Sequence, residues 1–537
     1  MPTLLCVPIM VSDAATALAD AESARHAGAD LVEFRVDAFV EAMLEHGGDA
    51  LRASLDLVAG CALPSIVTCR PSWEGGHYEG SEEDRLELIE GLVASDRGPA
   101  YVDVELAAFS RTPNLAQRLR SARSGAGMHA RLIVSIHDFS GRPADLTRRV
   151  IALEALGIAD VAKIAFRARS LRDSLELFEI ARDGQRPTIA LGMGEFGLMS
   201  RILAPQCGAF LTFASLRDES ATAPGQPTLA ALLNTYRLRA ITRKTLVYGI
   251  IGWPVSHSMS PLVHNAGFEA VDHDGVYVPL PIAADGDTAA TYASFKATLL
   301  SLVEDTHLNF AGASVTLPHK EHLVALAREQ HWALDDLSAG CGAANTLWRA
   351  ADGTWQVGNT DAPAAVDPLA RMLGALADSR VIVLGAGGAA RAVAFELSRR
   401  GASVLIVNRS PEPAAALVRA LNEAGHDRAR AVELEAVTHA DAIINCTSVG
   451  MKGGPAPDDC PISPEHLSRI GGLRIVQDTV YTPIETSLLK EAEHCGIRTI
   501  DGVEMFVGQA AAQFTRWTGR PAPTGLFERV TREMLAR

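Results

Sequence analysis

Amines that can lose a proton are scarce in this chain. Lys and Arg together number 49, but only six of them are Lys, and residues 1–240 contain a single one, Lys163. A neutral amine can act as a nucleophile, whereas a guanidinium stays protonated. Mutational bias toward Arg accounts for the overall ratio, and the composition leaves Lys163 as the candidate nucleophile of this half.

The residues around Lys163 predict imine chemistry. It lies in the apolar run VAKIAF, and a buried amine among apolar groups has a depressed pKa and can attack a ketone to form a Schiff base. A barrel salt bridge is the alternative role. The iminium acidifies a neighbouring C–H bond, and His137, with an expected near-neutral pKa, is suited to removing that proton. Arg35, Arg70 and Arg201 can bind a carboxylate through paired hydrogen bonds.

A second set of polar residues surrounds Lys320. This lysine follows the strand pattern AGASVTL and is predicted near a helix N-terminus, where the helix dipole disfavours a cation. It is therefore a functional candidate, with a solvated lysine as the alternative, and Asp361 is suited to holding its ammonium. Ser260, followed by Pro261, is predicted as a helix N-cap. Ser258 adds a second hydroxyl there, and two converging hydroxyls can bind a polyol or a carboxylate.

A dinucleotide site is predicted in residues 380–410, which alternate strand, Gly-rich turn, helix and strand. Gly385, Gly387 and Ala390 fit the pattern G-x-G-x-x-A, which places a pyrophosphate over a helix N-terminus. The second strand ends in Asn-Arg rather than in an acidic residue. Arg409 can pair with a ribose 2′-phosphate, so the sequence favours NADP over NAD, with a chance surface Arg as the alternative.

The elements that must position the first set of residues recur through residues 1–240. Eight short apolar runs alternate with helical patterns at about 30-residue spacing, which is typical of a parallel (β/α)8 barrel. In such a barrel the carboxyl ends of the strands carry the chemistry. The eight runs are LLCVPIM, LVEFRVD, SIVTCR, YVDVEL, RLIVSIHD, VAKIAF, PTIALGM and FLTFAS.

Composition excludes several classes of protein. The 537 residues suggest three to four domains, and 48% apolar residues indicate a chain that forms cores. The net charge of −15 gives neither half a basic face, so nucleic acid is an unexpected partner. Eight scattered Cys without metal-ligand spacing predict reduced thiols, a cytoplasmic location and no metal. We expect no membrane span, and the opening segment is interpreted as a strand rather than a signal peptide.

Residues 4–232 resemble type I 3-dehydroquinate dehydratase. The resemblance rests on ADLVEFRVD, TCRPSWEGGHYEG, VSIHDFS, ADVAKIAFRA, GEFGLMSRILAP and APGQPT. It implies a Schiff base at Lys163, with His137 removing the proton and assisting loss of the hydroxyl. Thr222 stands where the family usually has Ser, which keeps the hydroxyl. The implied substrate-binding residues are Glu33, Arg35, Arg70, Glu74, Arg201, Thr222 and Gln226.

Residues 246–537 resemble shikimate dehydrogenase, through GWPVSHSMSPLVHN, ASVTLPHK, AANTL, GNTDA, VLGAGGAARA, NRS, IINCTSVGM, VYTPIETSLL and GVEMFVGQAAAQFTRWTG. The resemblance implies that Lys320 and Asp361 are the catalytic pair. It implies substrate contacts from Ser258, Ser260, Thr316, Asn345, Tyr481 and Gln509. It implies that NADP binds to Gly385, Ala386, Gly387, Gly388, Asn408 and Arg409. Pro413 replaces a further basic residue that the family often has, which leaves the strength of NADP preference open.

The two halves predict consecutive reactions, because one would make the 3-dehydroshikimate that the other reduces. The chain as a whole resembles the bifunctional 3-dehydroquinate dehydratase/shikimate dehydrogenases. We therefore expect an α/β protein with an N-terminal (β/α)8 TIM barrel (1–240) and a two-lobed dehydrogenase. Its substrate lobe would comprise residues 246–360 plus 503–537, and its Rossmann-like NADP lobe residues 361–502. Two alternatives remain open: a second half that acts on quinate with NAD, or a catalytically inactive metabolite sensor.

Overall fold

The computed structural model describes residues 2–124, 130–220, 222–223, 225–284 and 286–536. These residues form two compact units. The first is built mainly from residues up to Thr245, with residues 278–282 and 306–308, and the second from most residues after Leu246. Within the part of the chain that the structure describes, no helix has the length and apolar character needed to cross a membrane.

The first unit contains the eight predicted strands, all parallel. Their order is β7-β6-β5-β4-β3-β2-β1-β8, and the backbone N–H of Phe210 donates to the Thr188 carbonyl at 2.8 Å where the last strand meets β7. The barrel predicted from eight apolar runs is thus confirmed. The strands are β1 (Leu4–Met10), β2 (Leu31–Arg35), β3 (Ser65–Thr68), β4 (Tyr101–Glu105), β5 (Arg131–Asp138), β6 (Val161–Arg167), β7 (Thr188–Met193) and β8 (Leu211–Phe213).

Helices cover the outside of the barrel and bury the outward-facing strand residues. Val134, Ile164 and Phe166 pack in this outer layer against Leu146 and Leu177. A π-helical turn (Ala231–Thr235) and a 3₁₀ turn (Leu238–Ala240) follow the last strand. The helices are α1 (Ala14–His26), α2 (Asp37–Glu45), α3 (Ala50–Gly60), α4 (Glu82–Ala94), α5 (Leu106–Arg111), α6 (Leu115–Ala122), α7 (Leu146–Ala155), α8 (Leu171–Asp183), α9 (Leu198–Ile202) and α10 (Ala204–Cys207).

The first sheet after the barrel is mixed, in the order β10-β9-β11-β13-β14-β12. Its strands are β9 (Leu246–Gly252), β10 (Gly275–Pro281), β11 (Phe310–Val315), β12 (Ala333–Leu334), β13 (Thr346–Arg349) and β14 (Trp355–Gly358). The helices in this part of the chain are α11 (Ser260–Ala270), α12 (Thr288–Glu304), α13 (Lys320–Glu329), α14 (Asp336–Cys341) and α15 (Asp361–Leu373), and α15 packs into the core of the following, parallel sheet. The prediction that Ser260 is an N-cap is wrong by one residue, because α11 begins at Ser260 and Met259 is its N-cap.

The next sheet is parallel throughout, in the order β17-β16-β15-β18-β19-β20. Strand order reverses at β15, and ligands of such sheets bind outside the carboxyl ends of the strands at this switch point. The predicted Rossmann-like fold is confirmed. The strands are β15 (Arg380–Leu384), β16 (Ser403–Val407), β17 (Ala429–Ala431), β18 (Ala442–Asn445), β19 (Ile475–Asp478) and β20 (Arg498–Ile500).

The remaining helices are α16 (Gly388–Arg399), α17 (Pro411–Glu423), α18 (Pro464–Arg469), α19 (Ser487–His494), α20 (Gly502–Thr518) and α21 (Thr524–Leu535). The last two pack against the mixed sheet rather than the parallel one. Phe514 of α20 and Phe527 of α21 share an apolar cluster with Tyr248 of β9 and Phe268 of α11. The chain therefore returns to its earlier sheet after completing the later one.

Candidate active sites

A single cavity at the carboxyl ends of the barrel strands contains all nine residues predicted for the first site. Apolar side chains from the ends of β7 and β8 and from the segment after β5 complete its wall. The nine polar residues are Glu33, Arg35, Arg70, Glu74, His137, Lys163, Arg201, Thr222 and Gln226, and the apolar ones include Phe139, Leu191, Met193 and Phe213.

Strand alternation explains why these side chains meet. Successive residues of a strand point to opposite faces, so residues two apart share a face. Leu31, Ile133 and Val161 pack inside the barrel. The same face of each strand therefore carries a polar side chain further along, and Lys163 and His137 both point into the barrel.

Lys163 lies between two carboxylates. Its Nζ is 2.8 Å from Asp103 Oδ2 and 3.3 Å from Glu33 Oε1, and it lies 4.9 Å from the centroid of the Phe213 ring. The apolar surroundings expected from VAKIAF are therefore incomplete, since barrel closure brings these acids to the same face, and the salt bridge given as the alternative is present. Burial raises the pKa of Asp103, but the charges of Arg70 and Lys163 lower it further, to below its usual range. Asp103 is therefore a carboxylate, and the lysine is held as one partner of a buried ion pair.

His137 is paired with Glu74. Glu74 Oε1 lies 2.9 Å from the backbone nitrogen of His137 and 3.2 Å from its Nδ1. Burial, followed by the charges of Arg70 and Lys163, lowers the pKa of His137 well below its ordinary value, so the expected near-neutral pKa is wrong. Burial raises the pKa of Glu74 to about 8, although Arg70 opposes this. At neutral pH the imidazole is therefore uncharged and can accept a proton.

The three predicted arginines differ in their partners. Arg35 forms an ion pair with Asp37, with Nη2 2.7 Å from Oδ2, and Arg70 Nη2 lies 2.9 Å from Asp103 Oδ1. Arg201 is 2% exposed, and its Nε donates to the Gly192 carbonyl at 3.2 Å. Burial lowers the pKa of Arg201 to about 10, so it remains a cation at neutral pH.

Arg201 and Gln226 have unused hydrogen-bonding capacity in the cavity. No carboxylate within the described ranges pairs with Arg201, and an unpaired buried cation is costly. Gln226 Oε1 accepts from both the backbone N–H and the hydroxyl of Thr222, each at 3.1 Å. Its Nε2 is buried without a partner among the residues that the structure describes. Both groups are suited to binding an oxygen-rich anion.

The second predicted site is a cleft between the mixed sheet and the parallel sheet. All eight residues predicted for its chemistry and substrate line it: Ser258, Ser260, Thr316, Lys320, Asn345, Asp361, Tyr481 and Gln509. Lys320 is the first residue of α13 and Asp361 the first residue of α15. Lys320 Nζ lies 2.7 Å from Asp361 Oδ2. The predicted position of the lysine at a helix N-terminus is confirmed, and the carboxylate offsets the unfavourable dipole.

Hydrogen bonds hold several side chains of this cleft in place. The Asn345 amide donates to Thr360 Oγ1 at 2.9 Å and accepts from the Thr360 backbone at 2.7 Å. The backbone N–H of Ser260 donates to Ser258 Oγ at 3.2 Å, so Ser258 takes a position at the start of α11. Gln513 Nε2 donates to Thr346 Oγ1 at 3.2 Å. The cleft is thus a set of oriented polar groups around one amine–carboxylate pair.

Several lining residues were not predicted. Gln513 follows Gln509 by four residues on α20, so the helical spacing of GQAAAQF was an available signal. Asp103, which is fully buried and lies outside the cavity lining, was visible as a charge within an apolar strand, but its pairing with Lys163 depends on barrel closure. Lys452 lies in an irregular segment after β18 and gave no signal in the sequence.

The residues predicted for the cofactor surround the start of α16. Gly385 has φ +103°, which favours Gly, and Cβ atoms added at Gly387 or Gly388 would meet no protein atom within 4 Å. This open space at the N-terminus of a 12-residue helix fits a pyrophosphate. Gly385, Asn408 and Arg409 line a cavity beside it, whereas Ala386, Gly387 and Gly388 lie in the turn outside that lining. Arg409 is exposed, so its guanidinium can reach a phosphate.

Four family models match consecutive parts of the chain. Type I 3-dehydroquinase matches residues 5–243. The shikimate dehydrogenase substrate binding domain matches residues 250–347, and shikimate/quinate 5-dehydrogenase matches residues 368–451. The shikimate 5′-dehydrogenase C-terminal domain matches residues 502–532.

Similar proteins cover either the whole chain or its second half. The chloroplastic bifunctional 3-dehydroquinate dehydratase/shikimate dehydrogenase of Arabidopsis thaliana is 37% identical over 98% of this chain and 84% of its own length. The shikimate dehydrogenase (NADP(+)) of Moorella thermoacetica is 38% identical over 55% of this chain and 95% of its own. A solved structure, dehydroquinate dehydratase and shikimate dehydrogenase from S. pombe AroM, is 24% identical, covers 99% of this chain and 98% of its own, and has a TM-score of 0.43.

Proposed function

The chain belongs to the family of bifunctional 3-dehydroquinate dehydratase/shikimate dehydrogenases, and we propose here which residues carry its two reactions. The enzyme dehydrates 3-dehydroquinate to 3-dehydroshikimate and reduces this product to shikimate with NADPH. The NADP-dependent relatives favour the main interpretation over a quinate dehydrogenase that uses NAD. An inactive sensor is not supported, because both sites retain their reactive groups.

In the dehydration, Lys163 is the nucleophile. Its amine adds to the ketone carbon, and the carbonyl oxygen leaves as water with the two protons that the lysine nitrogen gives up, which leaves an iminium with one N–H. The ammonium of the resting enzyme and the iminium carry the same charge, so the carboxylates of Asp103 and Glu33 stabilise both. The observation that carries the assignment is that Arg201 lines the same cavity as this amine and has no carboxylate partner among the described residues, so it can pair with the substrate carboxylate.

His137 is the base that removes the proton next to the iminium. A Glu74 carboxyl that is protonated on Oε2 can accept both N–H groups of His137 through Oε1, so Nε2 is left as the free base. The imidazolium then returns the proton to the departing hydroxyl, and water is lost. Hydrolysis of the product iminium restores Lys163. Arg35, Arg70, Thr222 and Gln226 orient the substrate through its hydroxyl and carboxylate oxygens.

In the reduction, Lys320 and Asp361 move the proton. The hydride that adds to the ketone carbon would come from NADPH when it is bound. The Lys320 ammonium donates a proton to the ketone oxygen as it becomes a hydroxyl, and Asp361 holds the ammonium in place. The substrate is bound around this pair by hydroxyls and side-chain amides. The hydroxyls are those of Ser258, Ser260, Thr316 and Tyr481, and the amides those of Asn345 and Gln509.

The turn into α16 and the end of β16 would hold NADP. Gly385 to Gly388 would offer backbone N–H groups to its pyrophosphate, and Arg409 would pair with its 2′-phosphate. We also propose that the dehydrogenase divides into a substrate lobe, residues 246–360 plus 503–537, and a cofactor lobe, residues 361–502. The packing of α20 and α21 against Tyr248 supports this division.

A coupled assay tests the assignment. Wild-type enzyme supplied with 3-dehydroquinate and NADPH should consume NADPH. The Lys320→Ala variant should accumulate 3-dehydroshikimate, and Lys163→Ala should reduce only 3-dehydroshikimate that is added directly. Dehydratase activity in Lys163→Ala would contradict the Schiff-base assignment. Faster oxidation of quinate with NAD than of shikimate with NADP would favour the alternative specificity.

A further inference from the structure

Arg85 is a fully buried cation that lies outside the lining of the barrel cavity. It follows the first turn of α4 and is 0% exposed. A cation near a helix N-terminus opposes the dipole, and a buried cation is costly unless it is paired. Arg85 departs from the dipole rule and needs buried partners, which makes it a candidate for a role in function.

The guanidinium of Arg85 joins a buried carboxylate to a partly exposed one. Its Nη1 donates to Glu105 Oε2 at 2.8 Å and to the Cys69 carbonyl at 3.1 Å. Its Nε and Nη2 donate to the two oxygens of Glu82 at 3.0 Å and 2.7 Å. Because the guanidinium is hydrogen-bonded to Glu105 and Cys69 on one side and to Glu82 on the other, the Arg85 side chain is held in one orientation.

Glu105 transmits this orientation to the reaction site. Its second oxygen accepts from Arg70 Nη1 at 2.6 Å. Arg70 Nη2 lies 2.9 Å from Asp103 Oδ1, and the other oxygen of Asp103 accepts from Lys163. Alternating charges therefore run without a break from Arg85 to the proposed nucleophile.

Arg85 also lies near the segment that carries Glu74. Its Cζ is 5.9 Å from the ring centroid of Trp73, and the Cζ of Arg111 is 4.1 Å from the same centroid. Cations within about 6 Å of an indole face are attracted to it. Trp73 immediately precedes Glu74, whose carboxyl contacts His137.

We propose that Arg85 is a positioning residue for the dehydration, acting through Glu105 on Arg70. It acts on the Glu74 segment through Trp73. This inference rests on the proposed function of the barrel cavity. If Arg85 were only structural, its loss would change the amount of folded enzyme and leave the kinetics of the folded enzyme unaltered.

The first test replaces Arg85 with Met in the full chain. We expect the dehydratase kcat to fall ten- to a hundredfold with less than a threefold change in KM, because the groups that touch the substrate remain. Dehydrogenase activity of the same sample should not change, and circular dichroism should match wild type. Arg85→Lys keeps the charge but cannot reach both carboxylates, so it should recover part of the lost kcat. A folded Arg85→Met enzyme with kcat within twofold of wild type would overturn the inference.

A second pair of variants decides the question if Arg85→Met does not fold. Glu82→Gln removes the outer partner of Arg85, and we expect a three- to tenfold lower dehydratase kcat. Glu83→Gln is the matched control in the same helical turn, because Glu83 pairs instead with Arg118 at 2.8 Å. Equal kcat values for the two variants would overturn the inference. If the wild-type enzyme itself showed no dehydratase activity, the proposed function would be contradicted instead.

Discussion

Lys163 Nζ lies 2.8 Å from Asp103 Oδ2, across the barrel interior from β6 to β4 with β5 between them. The other oxygen of Asp103 accepts from the hydroxyl of Ser135 at 2.6 Å and lies 2.9 Å from Arg70 Nη2. One carboxylate therefore joins two buried cations, which Glu33 and Glu105 also help to balance. We therefore propose that Asp103, which the sequence analysis left outside the predicted site, organises the cations of the proposed dehydratase site.

Replacing Asp103 with Asn should impair both stability and dehydration. The substitution leaves Lys163 and Arg70 with less compensating charge, and removing one partner of a buried ion pair typically costs roughly 3–5 kcal/mol. We expect the barrel to unfold at a lower urea concentration than in wild type. We also expect the dehydratase kcat to fall at least tenfold. The control is Asp138→Asn, at the solvent end of β5. Wild-type-like unfolding of Asp103→Asn would show that this pair is not the organising contact.

Glu74→Gln should change how stability depends on pH. The folded pKa of Glu74 is about 8 and its ordinary value is 4.5, so the folded chain retains a proton that the unfolded chain releases between these pH values. Wild-type stability therefore falls as pH rises through this window. Gln has no such proton. The free energy of unfolding of the variant should therefore rise relative to that of wild type as the pH approaches 8, by on the order of a few kcal/mol.

Calorimetry from pH 5 to pH 8 measures this effect. The matched control is Glu79→Gln, an exposed carboxylate of the same loop, and its Tm should follow the wild-type curve. Parallel curves for Glu74→Gln and wild type would contradict the raised pKa.

Asp361→Asn should slow the reduction and spare the dehydration. Without the carboxylate, the Lys320 ammonium loses its partner at 2.7 Å, and positioned proton transfer contributes about 10²- to 10⁴-fold to rates. We expect kcat with 3-dehydroshikimate and NADPH to fall at least a hundredfold. Asp367→Asn is the control on the same helix, since Asp367 is exposed and pairs with Arg400. Equal effects of the two substitutions would refute the role of Asp361.

Arg409→Gln should weaken NADP binding more than NAD binding. A charge-assisted hydrogen bond contributes about 1.5–3 kcal/mol, which corresponds to roughly ten- to a hundredfold in Kd. We expect that increase for NADP in calorimetric titrations and less than a threefold change for NAD. Arg419→Gln, on the following helix, serves as the control. Equal weakening of both cofactors would mean that Arg409 does not contact the 2′-phosphate.

Periodic features of the fold were predictable from sequence. Eight apolar runs at about 30-residue spacing predicted the eight barrel strands, and the Gly-rich turn within a strand–helix–strand pattern predicted the Rossmann-like fold. These predictions succeed because they depend on local geometry. The helix start was missed by one residue: Met259 is the N-cap, and the backbone N–H of Ser260, the first helical residue, donates to Ser258 Oγ.

Electrostatic features were predicted less well. The near-neutral pKa expected for His137 was wrong, because its pKa is lowered by burial and by the charges of Arg70 and Lys163, which lie on other parts of the barrel. The apolar surroundings expected for Lys163 were incomplete, because barrel closure brings two carboxylates to the same face. Arg85 gave no signal, since its place beneath the site depends on how α4 packs against β4. These ion pairs join residues that are far apart in the sequence and meet only when the barrel closes, so no local sequence pattern predicts them.

Reductive trapping tests the central claim most directly. The enzyme is incubated with 3-dehydroquinate, reduced with borohydride and digested, and the modified peptide is sequenced by mass spectrometry. We predict a stable substrate-derived adduct on Lys163, present in Lys320→Ala and absent in Lys163→Ala. Dehydration that proceeds without any adduct on Lys163, or an adduct on another lysine, would contradict the account.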